Sequence, residues 1–452
     1  MSTENEDNLE HRHGADAPAG SIREVAKISW PIVVGMLSYT AMGVADTLFV
    51  GWVGKTELAA VGLATTAIFL LNSLFMGTLH GTKVLSSQAT GKGRPEEAKM
   101  AGWLGSLLAI PFGLIVAVLA LFGGPIFAVL GGPPEVQALA QEYFGVRALG
   151  AVFWYVTIAY CDYFQGTGNT RTPMKINLVA NAVNIALDPL LIFGLGPIPA
   201  MGVSGAALAT IIAQATGMLI ATVLFVGRAG LVRKPDWKVA NKLMRLGFPM
   251  GVRATLGVGA FTAFTALLAR MGEDQLAAHQ IALKIISISF LPGYGLSETA
   301  TILTGQYVGA RRFEAARRAF RSVLFVAVGV MGTCGVAFFA LGEHLVAVFN
   351  TDPTVVRLGT RLLYVATLFQ VFDAIAMVAT GALNGIGDTK FTMWTGIACS
   401  WFVMVPASYF FGVALEGGAV GAWLGLTVEI VVVAAITLVR FNRTSWHEVV
   451  VE

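Results

Sequence analysis

The 452-residue chain is 56% hydrophobic and 13% charged, with 30 Lys and Arg set against 27 Asp and Glu. Its mean hydropathy is +0.71. A soluble domain carries roughly 25% charged residues, so this composition excludes a water-coated globule and points to a chain dissolved in lipid.

Residues 1–28 are polar and lack the apolar core and small-residue cleavage site of a secretory signal. They read as a cytoplasmic polar tail, and the first span is retained. Twelve spans are expected after it, because about 20 apolar residues cross the hydrocarbon core. Six lie near Trp30–Trp52, Ala59–Leu85, Ala101–Phe122, Tyr143–Phe164, Met174–Leu195 and Gly202–Val226. Six more lie near Leu246–Arg270, Ala277–Leu303, Ala319–Leu341, Leu362–Leu383, Phe391–Ala414 and Gly418–Val439. These are continuous apolar runs rather than the ten-residue alternations of a barrel. Cys161, Cys334 and Cys399 lie singly in such runs, which suggests neither a disulfide framework nor a zinc site.

Basic residues set the orientation. One side collects Arg23 and Lys27, the 92–99 loop, Arg171 and Lys175, the 228–245 stretch, five arginines between 311 and 321, Lys390, Arg440 and Arg443. The other holds only Lys55, Arg147, Arg270, Arg357 and Arg361. With an even span count, both termini are expected in the cytoplasm of a bacterial inner membrane.

The chain repeats itself. Leu58–Ala64 (LAAVGLA) aligns with Leu276–Ala282 (LAAHQIA) at an offset of 218, which also pairs Pro31 with Pro249 and Gly77 with Gly295. After the fourth span of each half, GTGNTRTPM (166–174) matches GIGDTKFTM (385–393). Six helices separate equivalent points, so the halves are parallel repeats. The expected division is a tail over 1–28, an N-lobe over 29–227, a cytoplasmic linker over 228–245, a C-lobe over 246–440 and a C-terminal tail over 441–452. The fold class is thus an all-α integral membrane protein of 12 transmembrane helices, in two pseudo-symmetric six-helix bundles around a central cleft.

The first span SWPIVVGMLSYTAMGVADTLFVGWVG (29–54), the stretch LAAHQIALKIISISFLPGYGLSETATILTGQYVGA (276–310) and the two Gly-Thr or Gly-Asp-Thr loops resemble the multidrug and toxic compound extrusion family. HQIALKIISISFLPGYG is similar to its DinF-like branch more than to its NorM-like branch. The resemblance covers nearly the whole chain after residue 22. It implies secondary active export of amphipathic, often cationic, compounds by alternating access, in exchange for H+ or Na+. It implies no cofactor, and as partners the lipid bilayer and small amphipathic substrates, without nucleic acid; a monomer is expected. An alternative within the same architecture is a flippase for lipid-linked, phosphate-bearing substrates, which would use Lys83, Arg253 and Lys284. A membrane-embedded enzyme is disfavoured: the sequence holds no HExxH, no GxSxG and no phosphate-cradling Gly-rich loop followed by Lys.

Ionisable groups inside spans are costly and default to functional candidates. Asp46 lies eight residues before the outer Gly54, Asp188 eight before the outer Gly196, and Thr210 eight after the outer Gly202. At 1.5 Å per residue all three lie roughly 12 Å below the outer surface. Asn184 is one turn from Asp188, on the same helical face. Such oxygens suit a small hard cation; without one, two neighbouring carboxylates resist double ionisation, and one is expected to hold a proton. The competing reading is polar glue between helices. The repeat replaces Asp46 by Phe264, Asn184 by Val403 and Asp188 by Ala407, which favours a task confined to one lobe. In the branch this chain resembles, the residues matching Asp46, Asn184, Asp188 and Thr210 form the N-lobe cation or proton site.

Asp373, mid-span in the tenth helix, is a coupling or substrate candidate, with pairing to Lys284 as the structural alternative. The NorM-like branch sets a seventh-helix glutamate beside such an aspartate, but here that place falls near Gly257. Arg253 with Glu298, and Lys83 with Asp162, are expected as intramembrane ion pairs or snorkelling groups. Pro31 lies 15 residues before Asp46 and is the expected bending point of the first helix.

Overall fold

The computed structural model describes residues 18–194, 196–230, 232 and 234–444. The expected tails therefore lie outside the described residues up to residue 17 and from residue 445, as does Arg233 of the linker. The chain forms α1 Ile22–Val53, α2 Lys55–Gly91 (turning at His80), α3 Pro95–Ala120, the short α4 Gly123–Leu130, α5 Pro134–Leu149, α6 Ala151–Gly166, α7 Arg171–Ile192 and α8 Gly202–Ala229. It continues with α9 Trp237–Ala269, α10 Glu273–Gly309, α11 Phe313–Ala347, α12 Pro353–Ile386, α13 Thr389–Ala414 and α14 Gly418–Arg443. Among the described residues eleven helices are long and apolar enough to cross a membrane, and the bent pair α5 and α6, taken as one span, makes twelve. The apolar side chains face outward as well as inward: Leu121 is 79% exposed and Phe402 77% exposed. A water-soluble protein avoids so continuous an apolar surface; in a bilayer it is the lipid contact, while the helices satisfy their own backbone hydrogen bonds.

The chain divides into two compact units. One comprises Pro31–Thr90 and Arg94–Gly251. Within it α3 packs on α6, α7 on α8, and α2 on α5, around a core that includes Phe127, Phe144, Tyr155, Phe164 and Phe225. The other comprises residues up to Trp30, Gly91–Gly93 and everything from Val252. Its centre is α12, packed by α10, α11 and α14.

Three features depart from expectation. The first is the linker, which is shorter: α9 already begins at Trp237. Val239, Ala240, Leu243 and Leu246 recur at helical spacing and are buried against Val84, Leu85, Ala101 and Leu104, so an amphipathic helix replaces part of the basic stretch. The second is the fourth span, which is two helices bent by 49° at Gly150. A Cβ at Gly150 would meet Gln214 Oε1 at 2.8 Å and Ile211 Cγ1 at 2.9 Å, so α8 closes on the bend only because no side chain is there. The third is the region before Trp30, which is not all tail. Val25 and Ile28 are buried, and so is Glu24, whose carboxylate accepts from the Tyr307 hydroxyl and the Gly20 amide, each at 2.7 Å. Ser322 Oγ donates to Gly20 O at 2.6 Å. Glu24→Ala leaves two buried donors without this acceptor, at a cost of about 1–3 kcal/mol. The expected result is faster tryptic cleavage at Arg23 and Lys27 in the purified protein; an unchanged digestion rate would contradict this anchoring.

Candidate functional site: a buried carboxylate pair in the first lobe

Proline has no N–H and fits only where the helix tolerates a missing bond. In α7, Pro189 follows Asp188 directly and lies within the helix. Asn181, Asn184 and Asp188 occupy one face of α7, and all three are buried. Asn181 Nδ2 donates to Ser38 Oγ on α1, which ties this face to the helix that carries Asp46. Asn184 Nδ2 donates to Asp188 Oδ1 at 3.5 Å and to Thr210 Oγ1 at 3.4 Å. Thr210 spends its own proton on Ala206 O at 2.9 Å, so toward Asn184 it can only accept. Asp46 and Asp188 are in side-chain contact with each other.

The structure thus brings Asp46, Asn184, Asp188 and Thr210 together within one lobe. Asn184 and Asp188 are 0% exposed and Thr210 3%. Three acceptor oxygens, Asp46 Oδ1, Asn184 Oδ1 and Asp188 Oδ2, are buried and receive no hydrogen bond from any protein group. Buried oxygens are normally paired, and two adjacent buried carboxylates require a compensating positive charge. Convergent, unpaired oxygens of this kind are what a proton or a small hard cation binds to.

A group that the depth argument passed over belongs to the same cluster. Arg147, in the last turn of α5, acts electrostatically on Asp46 and hydrogen-bonds Tyr143, and its Nη1 donates to Gln214 Oε1 at 3.2 Å. In the sequence Arg147 stands one turn inside the Tyr143 end of the fourth span, counted with the outer charges; in the structure it lies in α5, just before the 49° bend at Gly150.

At the other end of this lobe, Lys83 Nζ lies 3.0 Å from Asp162 Oδ1, with both side chains 4% exposed. His80 Nδ1 adds a contact of 2.8 Å to Asp162 Oδ2. The expected pair is present, and His80 completes it at the turn of α2.

In the second lobe Asp373 and Lys284 are not paired: Lys284 is exposed, and among the described residues no ion pair joins them. The charged neighbours of Glu429, on α14, are Asp373 and Arg253, and the Ser400 hydroxyl reaches it. Arg253, expected beside Glu298, has Glu429 and the Tyr294 hydroxyl as its polar surroundings. A Cβ at Gly396 would meet Arg253 Nε at 2.6 Å, so the guanidinium lies across α13 where that helix lacks a side chain. Just beyond, Ser400–Met404 is π-helical, a distortion that recurs at functional sites. Glu429 was legible as a lone acid inside GLTVEIVVV (425–433). Glu429→Leu removes the carboxylate whose charge acts on Arg253, leaving a cation inside the span without that compensation. The expected result is a lower melting temperature in detergent, with Glu429→Gln milder; equal melting of Glu429→Leu and the parent would contradict this electrostatic coupling.

His279 is packing. Trp423 Nε1 donates to its Nδ1 at 3.2 Å, and its Nε2 lies 3.4 Å from Thr265 Oγ1, so both ring nitrogens are engaged.

Comparison with known proteins places these observations in a family. The MatE family model matches residues 31–190 and 249–410, more than half of the chain and once in each repeat. A protein of Pseudomonas putida described as "Probable multidrug resistance protein NorM" is 30% identical over 91% of this chain and 92% of its own length. One of the same description from Thermotoga maritima is 28% identical over 94% and 93%. Among solved structures, a MOP superfamily transporter from Pyrococcus furiosus superposes with a TM-score of 0.86 at 22% identity, covering 94% of this chain and 98% of the other. A crystal structure of MATE in the bent conformation gives a TM-score of 0.87 at 22% identity, covering 95% and 96%.

Proposed function

The chain belongs to the MatE family of multidrug transporters, and we propose that it is a secondary active antiporter that exports small amphipathic, often cationic, compounds in exchange for H+ or Na+. The observation that carries this reading is the meeting of Asp46 and Asp188 in a buried pocket with unpaired acceptor oxygens. Binding one cation there removes a large desolvation cost, so occupancy from outside and release inside convert an ion gradient into conformational work.

In this scheme the ion enters the first lobe from the outer side and bridges Asp46 on α1 to Asp188 on α7. Pro31 lies within α1 and leaves one carbonyl of that helix without its usual donor, so α1 is the element expected to bend as Asp46 changes partner. The substrate is released outward as the ion binds, and both termini face the cytoplasm of a bacterial inner membrane. The DinF-like assignment rests on the stretch HQIALKIISISFLPGYG; the relatives compared carry the NorM name. Nothing favours the flippase alternative over export: of its three cations, Lys83 lies 3.0 Å from Asp162 and Arg253 has Glu429 as its charged neighbour, which leaves Lys284 alone exposed.

The test is transport of ethidium, an amphipathic cation, by proteoliposomes with a pH gradient or a sodium gradient imposed separately, comparing the parent with Asp46→Asn and Asp188→Asn. Gradient-driven transport of full rate in both variants would remove the pair from the mechanism.

A further inference from the structure

We propose that the turn between α10 and α11 is a binding site for the phosphate headgroup of an acidic phospholipid, with Arg311, Arg312 and Arg318 as its cations.

The turn encloses a cavity of about 470 Å³, lined by Arg311–Ala315, by Arg318 of α11 and by Ala19 of the segment before α1. All of these residues belong to one compact unit. The Ala19 wall is fixed by its neighbour. A Cβ at Gly20 (φ +75°) would meet Ala319 N at 2.7 Å and Ala315 O at 3.0 Å, and Gly20 O accepts from Ser322 Oγ at 2.6 Å. The segment therefore lies directly on the first turns of α11.

The internal repeat supplies a comparison. In the equivalent turn of the first lobe, between α2 and α3, the Arg94 amide donates to Ala89 O at 2.9 Å, just as the Arg312 amide donates to Tyr307 O at 2.8 Å. The left-handed residue of the first turn is Gly93 (φ +67°), whereas the second turn has Arg311 there (φ +58°). A side chain in that region costs stability that glycine does not, and the second lobe keeps an arginine at the cavity despite it. The charges differ in the same direction. Residues 87–103 hold three cations and two acids, and both acids are paired at 3.5 Å, Glu97 with Arg94 and Glu96 with Lys99. Residues 305–321 hold five arginines and one acid. That acid, Glu314, is 84% exposed and pairs with Arg317 at 3.4 Å. Among the described residues no ion pair engages Arg311, Arg312, Arg318 or Arg321.

Guanidinium forks match the oxygens of a phosphate two at a time. A merely solvated basic loop would need neither the cavity nor an arginine in the left-handed region. The surface below the cavity identifies the phosphate's carrier as a lipid. Arg318, Arg321 and Phe325 recur at helical spacing on one face of α11, and further along it Phe325, Val336 and Phe339 are exposed. A ligand lying on this face meets cations first and hydrocarbon next, which suits a phospholipid and gives a soluble phosphate nothing beyond the cavity. In the orientation proposed above the site faces the cytoplasmic leaflet, whose acidic lipids attract such clusters.

The experiment is native mass spectrometry of the purified full-length protein in detergent, with phosphatidylglycerol, phosphatidylcholine or inorganic phosphate added. The parent is expected to bind phosphatidylglycerol at least about tenfold more tightly than phosphatidylcholine. Arg312→Gln with Arg318→Gln is expected to lower the phosphatidylglycerol affinity by at least about tenfold, the effect of two cations near a membrane surface. Arg94→Gln, the first-lobe counterpart, is expected to bind as the parent does. Arg311→Gly separates the ligand from the fold. With glycine in the left-handed position it is expected to melt at or above the parent in lipid-free detergent, yet to bind phosphatidylglycerol about fivefold more weakly. It also decides the matter should the double variant fail to fold. Equal binding of the two lipids by the parent, parental affinity in Arg311→Gly, or an equal loss in Arg94→Gln overturns the proposal. Saturable binding of inorganic phosphate in place of phosphatidylglycerol also overturns it, and makes this a soluble-phosphate site. Detergent has no leaflets and the assay carries no ion gradient, so the lipid site, the orientation and the coupling pair fail separately.

Discussion

Asparagine at position 46 or 188 is expected to slow gradient-driven efflux by about ten- to a hundredfold, the range of a typical coupling free energy, while downhill equilibration of the substrate persists. The substitution preserves volume and hydrogen-bonding shape but removes one charge. With one carboxylate gone, the pocket no longer holds two adjacent acids that demand a shared cation. The carrier then has no reason to bind one on the outside and discharge it within. Substrate still binds, so the two directions of flux become equal instead of opposed. The assay is uphill accumulation set against counterflow in the same vesicles. Loss of both fluxes together would mean that the acids hold the fold and do not couple it.

Lys83→Met is expected to be among the most destabilising single changes in the first lobe. Asp162 and Lys83 are both 4% exposed and lie 3.0 Å apart. Removing the ammonium leaves a buried carboxylate with only His80 beside it, and breaking a buried pair in this way costs about 3–5 kcal/mol. Replacing both ions, as in Lys83→Met with Asp162→Leu, is expected to recover most of the loss, because an apolar pair of similar volume is often as stable as the ions it replaces. Thermal melting in detergent of the parent, the single and the double variant checks this. A single variant that melts with the parent would show that the pair contributes nothing.

What the sequence revealed, and what it hid, follows from helix geometry. Depth along a straight helix is linear in residue number, so Asp46, Asp188 and Thr210 could be set at one level from their distances to the outer glycines. Azimuth is not readable in that way. Arg253 and Glu298 share a depth range, yet Arg253 has Glu429, from a helix 176 positions later in the chain, as its charged neighbour. Arg147 was hidden for a different reason. It stands one turn inside the Tyr143 end of the fourth span, where an arginine reads as an outer-side charge, and its depth does not say that Asp46 of α1 is its electrostatic neighbour. The segment before Trp30 looked like tail because Arg23, Glu24 and Lys27 interrupt its few apolar residues. Val25 and Ile28 lie three apart on one helical face and are buried, a pattern too short to stand out against a polar background.

The central claim is that the Asp46–Asp188 pocket holds one monovalent cation that the substrate displaces. The most direct test is to add ethidium to purified protein in weakly buffered detergent solution and read the released ion, as H+ with a pH dye or as radioactive sodium. About one cation per protein is expected from the parent, and none from the Asp46→Asn/Asp188→Asn double variant. Equal release from both would show that the exchanged ion sits elsewhere.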